Sequence, residues 1–170
     1  NLCAITMQDG QTQSINDCSG AVFDTGGNSF QYLDNENAVV VVEPQNAASV
    51  TLTFNQFDVE SGSSGTICDY DYLEIFDGNS INAPSLGKFC NNNLPPSTIT
   101  SSGGAITLQF YSDQALTRDG FNIGWQCTYP TAAPVVDFES SSDSTCTGEV
   151  QFTDLSTEAP SSWVWDFGDG

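Results

Sequence analysis

Apolar residues fall at every second position through much of the chain: Val50, Leu52 and Phe54; Ile106, Leu108 and Phe110; Phe121, Ile123, Trp125 and Cys127. A period of two sends one set of side chains to a core and the other to solvent, so each run predicts a half-buried β-strand. Clusters of Gly, Asn and Ser between the runs supply the turns. No stretch has a helical period, which makes the expected class all-β and the expected architecture a sandwich. Val39 to Val42 form an unbroken apolar run, expected as a core strand stopped by Pro44.

Near the N-terminus, Cys3 to Gln8 and Gln13 to Cys18 flank Asp9-Gly10, a hairpin signal. A loop from Asp9 to Thr12 would set Cys3 opposite Cys18, and a bridge between them is one of several connectivities that six cysteines allow. Cys68 and Cys90 enclose an acidic strand and its following loop, where a bridge would act as a local staple. The remaining cysteines, Cys127 and Cys146, complete an even number with no Cys-x-x-Cys pair that would suggest zinc or redox work. In an acidic, Ser- and Thr-rich β-type sequence this predicts disulfides and an oxidising compartment. The chain begins at Asn1 and contains no apolar stretch long enough to span a bilayer, the expected look of a mature secreted chain without its signal peptide.

Charge narrows the function classes. Asp and Glu number 22 against only Lys88 and Arg118, a formal net charge of -20. No basic face exists to neutralise phosphates, which excludes nucleic acid and anionic membranes as partners. The absence of histidine removes the usual general base, the usual zinc ligand and every Ser-His or Cys-His nucleophile. Asp58 with Glu60, or Asp69 with Asp71, could be imagined as a glycosidase acid pair, but ligands or surface charge explain such pairs more economically. The expectation is a protein that is not an enzyme. Tyr70, Tyr72, Phe76, Phe89 and Tyr111 could form a sugar-stacking platform, although aromatics at alternating strand positions are expected in a core.

Tyr129 to Pro134 is an uncharged Pro and Ala stretch, expected as a short stiff linker. Beyond it a second alternating pattern begins, with Val135, Phe138, Val150, Phe152, Trp163, Trp165 and Phe167. So few residues follow the linker that an independent sandwich could not bury enough apolar surface. The expected organisation is an N-terminal hairpin over 1–17, a first domain over 18–128, a linker over 129–134 and an incomplete second domain over 135–170, followed by further domains of the same polypeptide. Asp166 with Asp169 could hold an ion at a turn of that domain, and Asp143-Ser144-Thr145 matches a short O-glycosylation pattern.

Several motifs occur in the order found in CUB domains: Cys18-Ser-Gly20 with Asp24-Thr-Gly-Gly27, Leu52-Thr-Phe54 with Phe57-Asp-Val-Glu60, and Cys68-Asp-Tyr-Asp-Tyr-Leu-Glu-Ile-Phe-Asp-Gly78. Leu86-Gly-Lys-Phe-Cys90, Ser101-Ser-Gly-Gly104, Phe110-Tyr-Ser-Asp113 and Gly120-Phe121 follow. From Cys18 to Cys127 the chain therefore resembles a CUB domain, an antiparallel, jelly-roll type β-sandwich, and its Asp-x-Gly-Gly opening is similar to bacterial members. Asn91 stands where the family has glycine. Trp163-Val-Trp-Asp-Phe-Gly-Asp-Gly170 and the strands before it resemble the first half of a PKD domain, an Ig-like sandwich. The pair of modules is similar to exported surface proteins of the Bacteroidota, which often leave by type IX secretion and serve adhesion or gliding.

The CUB resemblance implies a calcium ion held by Glu60, Asp71 and Asp113, with the backbone carbonyl of Ala115 as a fourth ligand. Family members often supply an Asn side chain at a position that falls at or near Leu116, where water would substitute. Three carboxylates within about 5 Å repel one another by a few kcal/mol at an effective dielectric of about 20, and a divalent cation removes that strain. The resemblance further implies an extracellular or cell-surface recognition module whose partner is a protein or a glycan, such as an adhesin. The alternatives are an accessory module of a secreted peptidase or polysaccharide hydrolase, or a structural element of a surface filament or envelope complex.

Overall fold

The computed structural model describes residues 3–130, 135–141, 150–157 and 164–166. The chain divides into two compact units, Asn1–Tyr129 and Pro130–Gly170. Every regular element among the described residues is a β-strand, and no helix is long and apolar enough to cross a membrane.

In the first unit, β1 (Cys3–Thr6), β3 (Ser19–Phe23), β5 (Ser49–Asp58), β8 (Thr98–Thr100) and β10 (Gly120–Thr128) form one sheet, ordered β1-β3-β10-β5-β8. The second sheet contains β2 (Thr12–Ile15), β4 (Asn37–Val42), β6 (Tyr72–Phe76), β7 (Ser85–Phe89) and β9 (Ile106–Tyr111), ordered β2-β4-β9-β6-β7. The alternating residues meet between the sheets: Val50 and Leu52, Ile106, Leu108 and Phe110, and Phe121, Ile123, Trp125 and Cys127 are all buried. Each large apolar side chain so removed from water contributes about 1.5–3 kcal/mol. The run at Val39 to Val42 lies in β4, with Val40 and Val42 completely buried against the opposite sheet.

The N-terminal segment corrects two expectations. Asp9-Gly10 does turn the chain, with Gln11 N–H donating to Gln8 O at 3.1 Å and Gly10 at φ 67°, but it does not close a hairpin. β1 pairs parallel with β3, and β2 pairs parallel with β4. The turn carries the chain from one sheet to the other, held at the start of β4 by Gly10 N–H to Asn37 O at 3.0 Å and Asn37 N–H to Asp9 Oδ1 at 2.9 Å. The sandwich is therefore antiparallel except at these two edges, and residues 3–15 are built into it. The proposed Cys3–Cys18 bridge gives way to Cys18–Cys127, with Cα atoms 4.9 Å apart, and Cys3 is free. Register explains the exchange. β3 and β10 run antiparallel, so Cys127 N–H donates to Cys18 O at 2.7 Å, whereas Cys3 lies on the far side of β3 opposite Gly20. Cys68 and Cys90 are joined, with Cα atoms 5.6 Å apart.

Of the five aromatics expected in a core, only Phe76 and Phe89 are buried. Tyr72 and Tyr111 are cross-strand partners on the outer face of their sheet, because their neighbours Leu73 and Phe110 take the inward positions. Their rings stack at 5.2 Å and the Lys88 ammonium sits 3.7 Å above Tyr72, which closes that surface on itself. Tyr70 is exposed.

In the second unit, β11 (Phe138–Ser140) pairs antiparallel with β12 (Phe152–Asp154). Phe138, Phe152 and Trp165 form a ring cluster with centroids 5.5–6.1 Å apart. Residues 131–134 of the expected linker, Asp143, Cys146, Trp163 and Asp169 lie outside the described residues.

Candidate metal centre

Three strand ends deliver the acidic residues. Tyr72 and Tyr111 pair across β6 and β9, which places Asp71, just before β6, beside Asp113, just after β9. Glu60 arrives from the other sheet, immediately beyond the end of β5. One carboxylate oxygen from each of Glu60, Asp71 and Asp113 lies within 4.8 Å of the others. Glu60 is 6 % and Asp71 1 % exposed, while Asp113 is partly open to solvent.

The approach to each ligand is fixed locally. Asn91, in place of the expected glycine, clamps the end of β5: its side chain accepts Val59 N–H at 3.1 Å and donates to Asp58 Oδ1 at 2.7 Å, and its N–H donates to Val59 O at 3.0 Å. The Cys68–Cys90 bridge ties the segment before Asp71 to the residue after β7. Within the Ser61 to Gly65 insert, Ser63 N–H and hydroxyl both donate to Asp69, at 2.8 and 2.7 Å, and these bonds hold the exposed Asp69 below the usual carboxylate range. Asp69 thus braces a loop, and Asp58 binds Asn91.

The hub of the cluster is Tyr32, which sequence reasoning did not single out. Its hydroxyl donates to Asp71 Oδ2 at 2.6 Å and accepts Glu60 N–H at 3.1 Å, with the ring completely buried and edge-on to Phe110 at 4.9 Å. A tyrosine alone in a Gly- and Asn-rich loop was the available signal, since a buried Tyr needs a partner for its hydroxyl. Asp71 Oδ1 accepts Asp113 N–H at 2.7 Å, which leaves the Asp71 carboxylate in one orientation. Ala115 lies in the same turn, its N–H donating to Asp113 Oδ1 at 2.9 Å, and Leu116 follows in the left-handed region at φ 69°.

A belt of buried polar residues holds the 24–36 loop that carries Tyr32. Asp24 accepts Gly26 N–H and Phe121 N–H, each at 2.8 Å. A Cβ on Gly120 would stand 2.0 Å from Asp24 Oδ2, and its φ of 72° suits glycine as well. Glu36 Oε2 accepts the Thr25 hydroxyl and Leu33 N–H, and Ser112 Oγ accepts Glu36 N–H at 3.0 Å while donating to Leu33 O at 2.6 Å. Of this belt, Asp24, Thr25, Gly26, Ser112, Gly120 and Phe121 stood in motifs legible from the sequence, whereas Leu33 and Glu36 did not.

Burial pushes the carboxyls of Glu60 and Asp71 up, and the neighbouring acids push them further. Hydrogen bonds from Tyr32 and Asp113 offset part of this at Asp71. At Glu60 the positive charge of Arg118 opposes the rise, and Glu60 Oε2 is buried with no hydrogen-bond partner among the described residues. A buried carboxylate oxygen with nothing to bind is costly unless a cation meets it. An all-oxygen donor set without His or Cys fits a hard cation of the calcium type.

The family model for the CUB domain matches residues 11–125. Human cubilin is 44 % identical over 92 residues, 54 % of this chain and 2 % of that protein. The cubilin homolog of Drosophila melanogaster is 36 % identical over 110 residues, 64 % of this chain and 3 % of that protein. This chain thus spans only a few per cent of the length of these animal relatives. Among solved structures, the MASP-1 CUB2 domain bound to Ca2+ superimposes with a TM-score of 0.57 at 22 % identity, covering 67 % of this chain and 96 % of that one. The CUB1-EGF-CUB2 region of rat MASP-1 gives a TM-score of 0.59 at 20 % identity, covering 69 % and 43 %. These likenesses establish the same sandwich.

Proposed function

The chain belongs to the CUB domain family, and from that premise we propose that its first unit is an extracellular recognition module, without catalytic chemistry, whose loop cluster is ordered by calcium. Glu60, Asp71 and Asp113 hold the ion through their carboxylates and Ala115 through its carbonyl. The observation that carries this reading is the buried, unpartnered Glu60 Oε2 beside two further carboxylates. The calcium-bound MASP-1 CUB2 domain supports it as a neighbour in fold. When bound, the ion supplies the positive charge that lets three strand ends and the Tyr32 loop lie together. The loop tips ordered in this way would face a protein or a glycan. Two disulfides fit an oxidising exterior, and the solved relatives include the extracellular region of zebrafish Gpr126/Adgrg6.

For a site of about 10⁻⁴ M affinity, calcium at a hundredfold excess stabilises by about 2.7 kcal/mol. The thermal melt of the whole chain in calcium should therefore lie roughly 10 °C above that in EGTA. Coincident melts, with no calcium detected by titration calorimetry, would remove the ion from this reading.

The finer assignment to a bacterial adhesin or gliding-associated cargo of type IX secretion rests on the PKD resemblance of residues 135–170. The Phe138, Phe152 and Trp165 cluster on the β11-β12 pair supports a sandwich-like second unit, whereas the animal relatives of the first unit weigh against a bacterial source.

A further inference from the structure

We propose that a cleft on the outer face of the β3-β10-β5 sheet binds a neutral pyranose ring of a glycan. Phe23, Asn122 and Gln56 are successive cross-strand partners on β3, β10 and β5, so they form one row across the sheet. The 27–31 loop and Asp119 stand beside the row and enclose a volume of about 300 Å³, the lower end of the range for small-ligand sites.

The amides of the cleft are held by their neighbours. Gln31 donates to Asp119 Oδ1 at 3.2 Å and accepts the Thr117 hydroxyl at 3.3 Å. Gln56 donates to the Asp119 carbonyl at 3.4 Å, and the Asn122 carbonyl accepts Asn55 Nδ2 at 3.3 Å. The Gln56 carbonyl and the Asn122 amide nitrogen are left as an acceptor and a donor with no further partner among the described residues. Sugar hydroxyls need both at once, which primary amides provide. Phe30 lines the cleft and is 78 % exposed. An aromatic face in water next to fixed amides suits the apolar C–H face of a pyranose.

Other ligand classes fit less well. No Lys or Arg lines the cleft, and the net charge of -20 repels anions. A peptide adding as a strand needs an open sheet edge, but β10 is flanked on both sides at this row and β3 is covered by β1. An apolar ligand would bury the amides without partners. None of the lining residues is a proposed calcium ligand, but the 27–31 wall belongs to the loop that carries Tyr32, so binding is read both in calcium and in EGTA to keep this reading distinguishable from the calcium reading.

The test is saturation-transfer NMR on the whole chain with millimolar methyl glycosides of glucose, mannose, galactose and N-acetylglucosamine, and with methyl α-sialoside as the anionic comparison. Transfer should reach the ring C–H protons of at least one neutral glycoside and should fall roughly fivefold in Phe30→Ala and in Gln56→Ala, both at exposed positions. Transfer to none of the neutral glycosides, equal transfer in both variants whose far-ultraviolet circular dichroism matches the parent, or equally strong transfer to the sialoside would each overturn the assignment.

Discussion

Tyr32 reaches across the end of the sandwich to Asp71, donating its hydroxyl proton over 2.6 Å while the same oxygen accepts Glu60 N–H over 3.1 Å. One buried phenol thereby sets the position of two acidic residues that arrive from different sheets. Tyr32→Phe keeps the ring packing against Phe110 but strands Asp71 Oδ2 and the Glu60 amide. The expected cost is about 1–3 kcal/mol in EGTA, with weaker calcium binding as Asp71 gains freedom. Denaturant melts and calcium titration of the variant check this, and parent-like values in both would show that the bond positions nothing.

Glu60 carries a charge that the calcium-free fold accommodates poorly, being buried, next to two acids and unpartnered at Oε2. Glu60→Gln should therefore melt above the parent in EGTA and lose the calcium response. Asp69→Asn, at a residue outside the cluster that braces the 61–65 insert, should keep the response. Equal loss in the two variants would point to general charge relief in place of a site.

Leu116 is 65 % exposed and sits at φ 69°, a conformation that Asn accepts far more readily than a bulky side chain. Leu116→Asn should stabilise the calcium-free chain by about 1 kcal/mol and lower the calcium midpoint, since it adds an oxygen donor next to Ala115. An unchanged melt together with an unchanged midpoint would count against both parts.

Cys18–Cys127 closes 109 residues and Cys68–Cys90 closes 22. On chain entropy alone the long loop contributes about 4.7 kcal/mol and the short one about 3 kcal/mol. The double variant at Cys18 and Cys127 should be the less stable of the two in EGTA. Peptide mapping without reduction should recover Cys18 linked to Cys127, and a peptide linking Cys3 to Cys18 would refute the register described.

Burial pushes the Glu36 carboxyl up, with Asp9 and Asp24 adding to the effect, and the Thr25 and Leu33 hydrogen bonds only partly offset it. A raised folded value means that the folded state holds this proton more tightly than the unfolded chain does. The penalty is absent below the ordinary carboxyl range and builds as pH rises through the raised value. The parent should lose stability between mildly acidic and neutral pH, and Glu36→Gln should flatten part of that slope and melt no lower at neutral pH. Melting curves across this range check it, and a variant that keeps the full slope would remove Glu36 from the effect.

What the sequence determined by itself was local and periodic. Alternation at Val50 to Phe54, Ile106 to Phe110 and Phe121 to Cys127 sets which face of each strand leaves water, because the pleat fixes side-chain direction residue by residue. Composition excluded histidine chemistry and any basic surface, and motif order marked the family and its three acidic residues. Tertiary structure decided everything that depends on which strands become neighbours. The turn at Asp9-Gly10 reads identically whether it closes a hairpin or passes between sheets, and only strand pairing decides the bridge: β10 against β3 puts Cys127 beside Cys18, while β1 against β3 sets Cys3 opposite Gly20. Tyr72 and Tyr111 alternate with the inward Leu73 and Phe110, and only register makes them cross-strand partners whose rings stack. The Tyr32 hydroxyl bonds outside its own segment: the Glu60 N–H and the Asp71 carboxylate that it joins lie 28 and 39 residues away, brought near by burial of apolar surface elsewhere in the sandwich.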